Sequence, residues 1–196
     1  MKTLRQWFES IHSDFKKKET IMNYYSAVRS LSKMDSKENI SCSKFENVAT
    51  LYKFFFDRSN GEVKILTDNL SDKIFCRSDV LESLEKAIHR GVSFKIIIKN
   101  KPSENNEFLN VLAKHQEWRP HSLKVYNAFE SSKANKVSSV EFTFCVVDDS
   151  SYRWSFREGE GVASMRQPKT AKKINENFEI IVDVLEGRKI EAVKFS

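Results

Sequence analysis

The chain has 196 residues, of which 40% are hydrophobic and 31% charged, with 15 Phe but only 5 Gly and 3 Pro. That is enough apolar material for a packed domain and too few breakers for a disordered or fibrous chain. No run approaches the roughly 18 consecutive apolar residues of a membrane span. The start, Met-Lys-Thr-Leu-Arg-Gln-Trp-Phe, lacks the apolar core of a signal peptide, so a cytoplasmic location is expected and no membrane partner. The net charge of +6 permits contact with nucleic acid or other anions without demanding it.

Taken in order, residues 1–42 read as an N-terminal helical extension. Leu4, Trp7, Phe8, Ile11 and Phe15 form one apolar stripe, Lys16-Lys17-Lys18 interrupts it, and a second helical run spans 21–34 with Tyr24, Tyr25, Val28 and Leu31 on one face. The polar stretch 35–43 reads as a linker, which puts a domain boundary near residue 42. From 43 to 196 the pattern alternates. Residues 45–58 form a helix (Val48, Leu51, Tyr52, Phe55) stopped at Ser59-Asn60-Gly61, and 62–67 a strand. A helix follows over 78–89, capped by Ser78 or Asp79 and ended at Arg90-Gly91, then an apolar, interior strand over 93–99. Next come a helix over 106–117, a strand over 123–126, and strands 140–147 and 151–156 joined across Asp148-Asp149-Ser150. A helix over 170–185, stopped by Gly187, completes the chain. The expected class is therefore α/β, a mixed β-sheet flanked by helices, with strands 62–67 and 93–99 as parallel neighbours through a right-handed crossover.

Cys42, Cys76 and Cys145 are odd in number and widely spaced, so neither a zinc site nor a disulfide framework is indicated, and no cofactor is implied. Cys145, inside an apolar strand, reads as a small buried hydrophobe.

The order of these elements carries a resemblance. Gly61-Glu-Val-Lys-Ile-Leu-Thr followed by Val80-Leu-Glu-Ser-Leu-Glu-Lys-Ala-Ile-His-Arg-Gly-Val-Ser-Phe-Lys-Ile-Ile-Ile resembles the first crossover of a phospholipase D-like domain. Lys124-Val-Tyr, Phe142-Thr-Phe-Cys-Val-Val-Asp and Ser151-Tyr-Arg-Trp are similar to the strands around that family's catalytic motif, and 167–178 to its last helix. The likeness covers about residues 45–186, a single half of the usual paired arrangement. It implies a strand bearing a nucleophilic His, a Lys two residues on to stabilise the phosphoryl oxygens, and an Asp five further. Here Asp148 fills the Asp position, but Glu141 stands at the His position and Thr143 at the Lys position. The resemblance thus implies a phosphate-handling fold that has lost its nucleophile, and a homodimer or a partner protein as the assembly.

Other residues are weighed against plainer roles. His121 and Lys124 are three apart and would point to opposite faces of a strand. His89 and His115 end helices, and His12 lies in the N-terminal extension. Asp148 and Asp149 suit either a divalent cation or an ordinary hairpin turn, and the turn is preferred, so no metal site is assigned. Arg153, Arg157, Arg166 and Lys169 fall near the motif and are candidate anion ligands or surface charges. Glu158-Gly159-Glu160-Gly161 reads as a flexible loop. Trp118 and Trp154 are expected in packing more than in base stacking.

The function expected is a non-catalytic phospholipase D-like binding or assembly module, contacting nucleic acid or a partner protein. By analogy it belongs to a bacterial regulatory or antiviral defence system. The alternatives are a metal-dependent nuclease or phosphodiesterase in which Glu141, Asp148 and Asp149 act as displaced catalytic groups, and a structural subunit of a larger complex.

Overall fold

The computed structural model describes residues 24–34, 37–131, 137, 139–157 and 160–187. The stripe of Leu4 to Phe15, His12 and Lys16-Lys17-Lys18 lie outside the described residues. Helix α1 (Tyr24–Met34) leads into β1 (Asn39–Ser41), α2 (Phe45–Arg58) and β2 (Glu62–Thr67). A single turn α3 (Asp72–Phe75) precedes α4 (Ser78–Arg90), β3 (Ser93–Ile98), α5 (Glu107–Gln116) and β4 (Leu123–Asn127). Then come β5 (Thr143–Val147), β6 (Ser151–Arg157), β7 (Glu160–Ser164) and α6 (Pro168–Glu186).

The strands make one mixed sheet in the order β1-β7-β6-β5-β2-β3-β4. β2, β3 and β4 run parallel, as expected of strands joined by helical crossovers. β5 lies antiparallel against β2, with Val63 opposite Val147 and Leu66 opposite Phe144, and the remaining strands continue antiparallel to the edge. Period-two alternation sends Val63, Ile65, Phe94, Ile96, Ile98, Cys145 and Ala163 to one face, against α2, α4 and α5. Leu66, Ile97, Phe144, Val146, Tyr152, Trp154 and Val162 face the other way, against Ala171, Ile174, Phe178 and Val182 of α6. Both faces are therefore covered, and β2 reads as an almost unbroken buried run.

The seam between β2 and β5 is fastened from its end. Asp148 and Asp149 both have φ 50, and Ser150 N–H donates to the Val147 carbonyl, forming the left-handed turn that suits right-twisted hairpins. That turn aims the Asp148 carboxylate at the start of β2, where it accepts from the backbone N–H groups of Asn60, Gly61 and Glu62, each at 2.9 Å. A Cβ at Gly61 would stand 3.2 Å from Asp148 Oδ1, so the carboxylate would have to give by a few tenths of an ångström.

Several local expectations are corrected. Residues 39–41, read as linker, pair with Ser164 to Val162 of β7, so the edge strand comes from that stretch. The loop reading of 158–161 gives way in part to β7, which begins at Glu160; Glu158 and Gly159 lie outside the described residues. Helix α4 takes Arg77 as its N-cap residue, and Asp79 forms an ion pair with Arg77 at 2.9 Å instead of capping. Strand 140–147 starts only at Thr143, because the carbonyls of Val140 and Phe142 accept from Lys99 Nζ at 2.8 and 3.2 Å and are turned away from the ladder. Trp154 is buried as expected, whereas Trp118 is 84% exposed.

Two substitutions test this account. Asp148→Ala removes the acceptor of three backbone donors and is expected to lower the stability by about 1–3 kcal/mol, read as a fall in urea midpoint at constant m-value. In Gly161→Ala the new Cβ would stand 2.7 Å from the Trp154 carbonyl oxygen and 3.1 Å from Cys42 Sγ. Because the nearer neighbour is backbone, the strand pair must shift, with an expected cost of about 1–3 kcal/mol in the same titration.

Candidate functional site

Antiparallel pairing of β5 with β2 places the start of β5 beside the C-terminal end of β2, where ligands of open α/β sheets gather. A cleft of about 110 Å³ opens at this edge, on the α2 side. Its floor is Thr143 of β5 with Arg153 and Ser155 of β6; one wall is Phe45, Val48 and Tyr52 of α2, and the other is the segment from Thr67 to Phe75.

Arg153 is the unusual member. It is 5% exposed, sits opposite Cys145 in the β5–β6 register, and shares the α2 face with that buried thiol. Its Nη1 donates to Thr143 Oγ1 at 3.4 Å, a long and weak bond, and it also bonds the Cys42 sulfur. Nε has no hydrogen-bond partner, and among the described residues no carboxylate forms an ion pair with the guanidinium. Its other close neighbour is Tyr52, whose phenol burial pushes above its ordinary pKa while Arg153 pulls it back. The same opposition acts on Cys145, raised by burial. Both groups therefore stay neutral at pH 7; burial works against the guanidinium, and the attraction of Cys42, Tyr52 and Tyr24 outweighs it and holds its pKa above the ordinary value without a carboxylate. A buried charge without a counter-charge is costly, and such groups are normally paired or hold a ligand.

The nearest carboxylate on the cleft wall, Asp68, is engaged elsewhere. Lys99, 4% exposed at the end of β3, holds Asp68 Oδ1 at 2.7 Å together with the Val140 and Phe142 carbonyls. The wall is braced from α5. Asn106 caps that helix by accepting from Leu109 N–H, and its Nδ2 donates to the Leu70 carbonyl and to Asp72 Oδ1, each at 2.9 Å. Asp72 also accepts from Ser103, and that hydrogen bond, the largest influence, holds its carboxyl below the usual range. Between them Leu70 is fully buried at φ 53, a backbone state that bulky residues avoid and that persists only where surroundings impose it.

The sequence candidates are distributed unevenly around this cleft. Thr143 and Arg153 line it. Glu141 is exposed on the segment just before β5. Asp148 lies past the other end of that strand, about 17 Å of extended chain from Thr143, and serves the β2 seam. Asp149, at the same turn, borders an open depression along α6 with Pro168, Lys172 and Asn175. Arg166 and Lys169 are exposed and belong to that far end as well, since Gln167 N–H donates to the Ser150 carbonyl. Arg157 closes β6 and its side chain lies outside the described residues. Of the candidate anion ligands, Arg153 stands at the cleft while Arg166 and Lys169 lie at the far end. Among the described residues no group of three or more His, Cys, Asp or Glu is placed to hold a metal ion. His89 and His115 pack edge to face with ring centroids 5.1 Å apart between α4 and α5, away from the cleft lining.

Sequence reasoning missed Tyr52, Thr67, Ser71 and Ser155 as cleft residues. For Thr67 a signal existed, its place at the C-terminal end of a parallel strand; the other three carry no spacing that marks them.

No protein-family model matches the chain, and no curated protein matches it. Solved structures do. TrmBL2, described as an archaeal chromatin protein with a novel mode of DNA binding, is similar with a TM-score of 0.51 and 14% identity, over 90% of this chain and 63% of its own. Nuc from Salmonella typhimurium, a phospholipase D family member, is similar at 0.49 and 14% over 73% of this chain and 93% of its own. NucT from Helicobacter pylori is similar at 0.48 and 13%, over 74% and 96%. At such identities the likeness to TrmBL2 speaks for the fold, and this chain spans about 63% of that protein's length.

The unpaired guanidinium makes a stability prediction. Arg153→Met keeps the length of the side chain and removes the buried charge, so the melting temperature is expected to hold or rise, by about 2–4 °C for each kcal/mol recovered. A structural role would reverse the sign, with a loss of about 3 kcal/mol or more on differential scanning calorimetry.

Proposed function

We propose that the chain is a phospholipase D-like module that binds phosphate-bearing ligands, nucleic acid foremost, without hydrolysing them. The observation that carries this reading is Arg153: a buried guanidinium without a carboxylate partner among the described residues, bordering a cleft beside Thr143, which stands for the family's lysine in the resemblance. Thr cannot supply a cation, but the neighbouring strand can, because Arg153 reaches Thr143 Oγ1 from β6. Binding is thereby separated from catalysis. A guanidinium stabilises phosphoryl oxygens by charge-assisted bonds, yet it cannot act as the nucleophile that Glu141 also fails to provide. The net charge of +6 favours the same class of ligand at long range. A fold shared with a DNA-binding chromatin protein is compatible with it. Self-association, which the family resemblance implies, belongs to the same reading and is checked by sedimentation velocity.

The test uses 5′-phosphorylated single- and double-stranded oligonucleotides, incubated with Mg²⁺, Mn²⁺, Ca²⁺ or Zn²⁺ and with chelator. Salt-dependent binding without cleavage is expected, weakened about 10–100-fold by Arg153→Met, the range for losing one or two charge-assisted hydrogen bonds. Metal-dependent cleavage abolished by Glu141→Ala would instead establish a nuclease with displaced catalytic groups.

A further inference from the structure

We infer that the Arg153 cleft takes a phosphomonoester, a terminal phosphate on a nucleic-acid end or on a free nucleotide, and not the internal phosphodiesters of a continuous strand. The inference rests on the binding role proposed above and narrows its ligand.

Size is the first argument. Clefts that enclose a drug-sized ligand measure about 300–1,000 Å³. This one measures about 110 Å³ and is bounded by α2 on one side and the braced 67–75 segment on the other. A single phosphoryl group fits such a space. An internal diester would have to lead two nucleosides out of it, and the walls that Phe45, Tyr52, Ile74 and Phe75 form are aromatic or aliphatic, offering little to a charged backbone in passage.

Donor chemistry is the second. A monoester carries about −1.5 to −2 charge at pH 7 and three acceptor oxygens, where a diester carries one charge and two free oxygens. Arg153 borders the cleft with a 5% exposed side chain whose Nε–H, itself enclosed, has no hydrogen-bond partner. Thr143 Oγ1 accepts from Arg153 and so keeps its own proton to donate, and Thr67 and Ser71 bring two more hydroxyls to the lining. Ser155 spends its proton on the Glu160 carbonyl. One buried guanidinium surrounded by hydroxyls suits a compact, highly charged terminus that can be fully enclosed. A strand backbone is better served by a row of exposed Lys and Arg, and Arg166 and Lys169 lie at the other end of the sheet.

Asp68 also lines the cleft and would repel such an anion. Its ion pair with Lys99 at 2.7 Å cancels the charge locally, so the lining keeps the surplus of Arg153.

The experiment is a fluorescence-polarisation competition on the full chain. One labelled oligonucleotide is prepared with a 5′-phosphate, a 3′-phosphate or hydroxyls at both ends; inorganic phosphate and a nucleoside monophosphate serve as unlabelled competitors. At least one phosphorylated end is expected to bind tenfold or more tighter than the hydroxyl-ended strand. That ratio should collapse towards one in Arg153→Met and shrink in Thr143→Val, a milder variant that leaves the cation in place. Competition by the monophosphate at the oligonucleotide's own affinity would identify the free nucleotide as the source; weak competition would identify the strand end. Either supports monoester chemistry. If all three oligonucleotides bind alike and Arg153→Met weakens them together, the binding role stands and the monoester inference fails. If folded Arg153→Met binds every probe as the parent does, the cleft is not the binding site and both fail.

Discussion

The sheet changes from parallel to antiparallel pairing at one seam, where β5 lies against β2, and the position of the cleft follows from that seam. A parallel neighbour on this side would have started at the other edge and carried Thr143 away from the end of β2. Antiparallel pairing sets Thr143 beside Thr67, and β6 then returns Arg153 and Ser155 to the same edge. The Asp148 carboxylate fixes the register from the opposite end, taking three backbone donors at the start of β2. Since a slip of one residue would turn every side chain of β5 to the other face, the clamp determines that Thr143 and Cys145, rather than Phe144, face α2. An Asp that the family resemblance places in a catalytic motif therefore does its work as a register pin, about 17 Å of chain from the residues it positions.

Against that frame stands an element that the frame does not need. The other buried cations of the sheet are compensated. Lys64 holds Glu62 and Glu179, each at 2.8 Å, and Asn175 at 2.5 Å, and Lys99 holds Asp68 and two carbonyls. Hydrogen bonds from Lys64 and Lys95 outweigh the burial that would otherwise raise Glu62, and keep its carboxyl below the ordinary range. Arg153 has a hydroxyl at 3.4 Å, a thiol and a phenol that stays protonated. Folding that leaves a cation so poorly matched costs stability, and an apolar residue of the same volume would fit the site at least as well. The contrast within one sheet separates lysines that hold carboxylates from an arginine that, among the described residues, holds none.

Much of the architecture was legible because its signals are local and periodic. Helices α2, α4, α5 and α6 follow from apolar spacing, and Gly91 and Gly187 mark two of their ends at φ 100 and 77. What escaped was set by contacts between distant segments. β1 is three residues of an outwardly polar stretch, and β7 carries a glycine, Gly161, on which Trp154 and Cys42 press. Val140 and Phe142 have strand-like composition, but Lys99 captures their carbonyls, an interaction across 41 and 43 residues that no pattern shows. The candidate site was half legible for the same reason. Period two assigns Thr143 and Arg153 to faces within their own strands, whereas the separation of Arg166 and Lys169 depends on where β7 ends and how Gln167 docks on the hairpin.

On the proposed reading, binding without catalysis has a single cause. In the chemistry that the resemblance implies, the lysine at the Thr143 position stabilises phosphoryl oxygens next to a nucleophile on the same strand. Moving the cation to β6 keeps it against the same hydroxyl edge but changes its character from a mobile ammonium to a planar fork, clamped between Tyr52 and Cys42. A planar fork fixed below the surface would favour one orientation of a bound anion. On that reading the carboxylate of Glu141, exposed on the segment just before β5, would repel an approaching anion rather than activate it. The double substitution Glu141→His with Thr143→Lys is therefore expected to give no turnover of a chromogenic phosphodiester, because Arg153, which already bonds the side chain at 143, would compete with the new lysine for one phosphate.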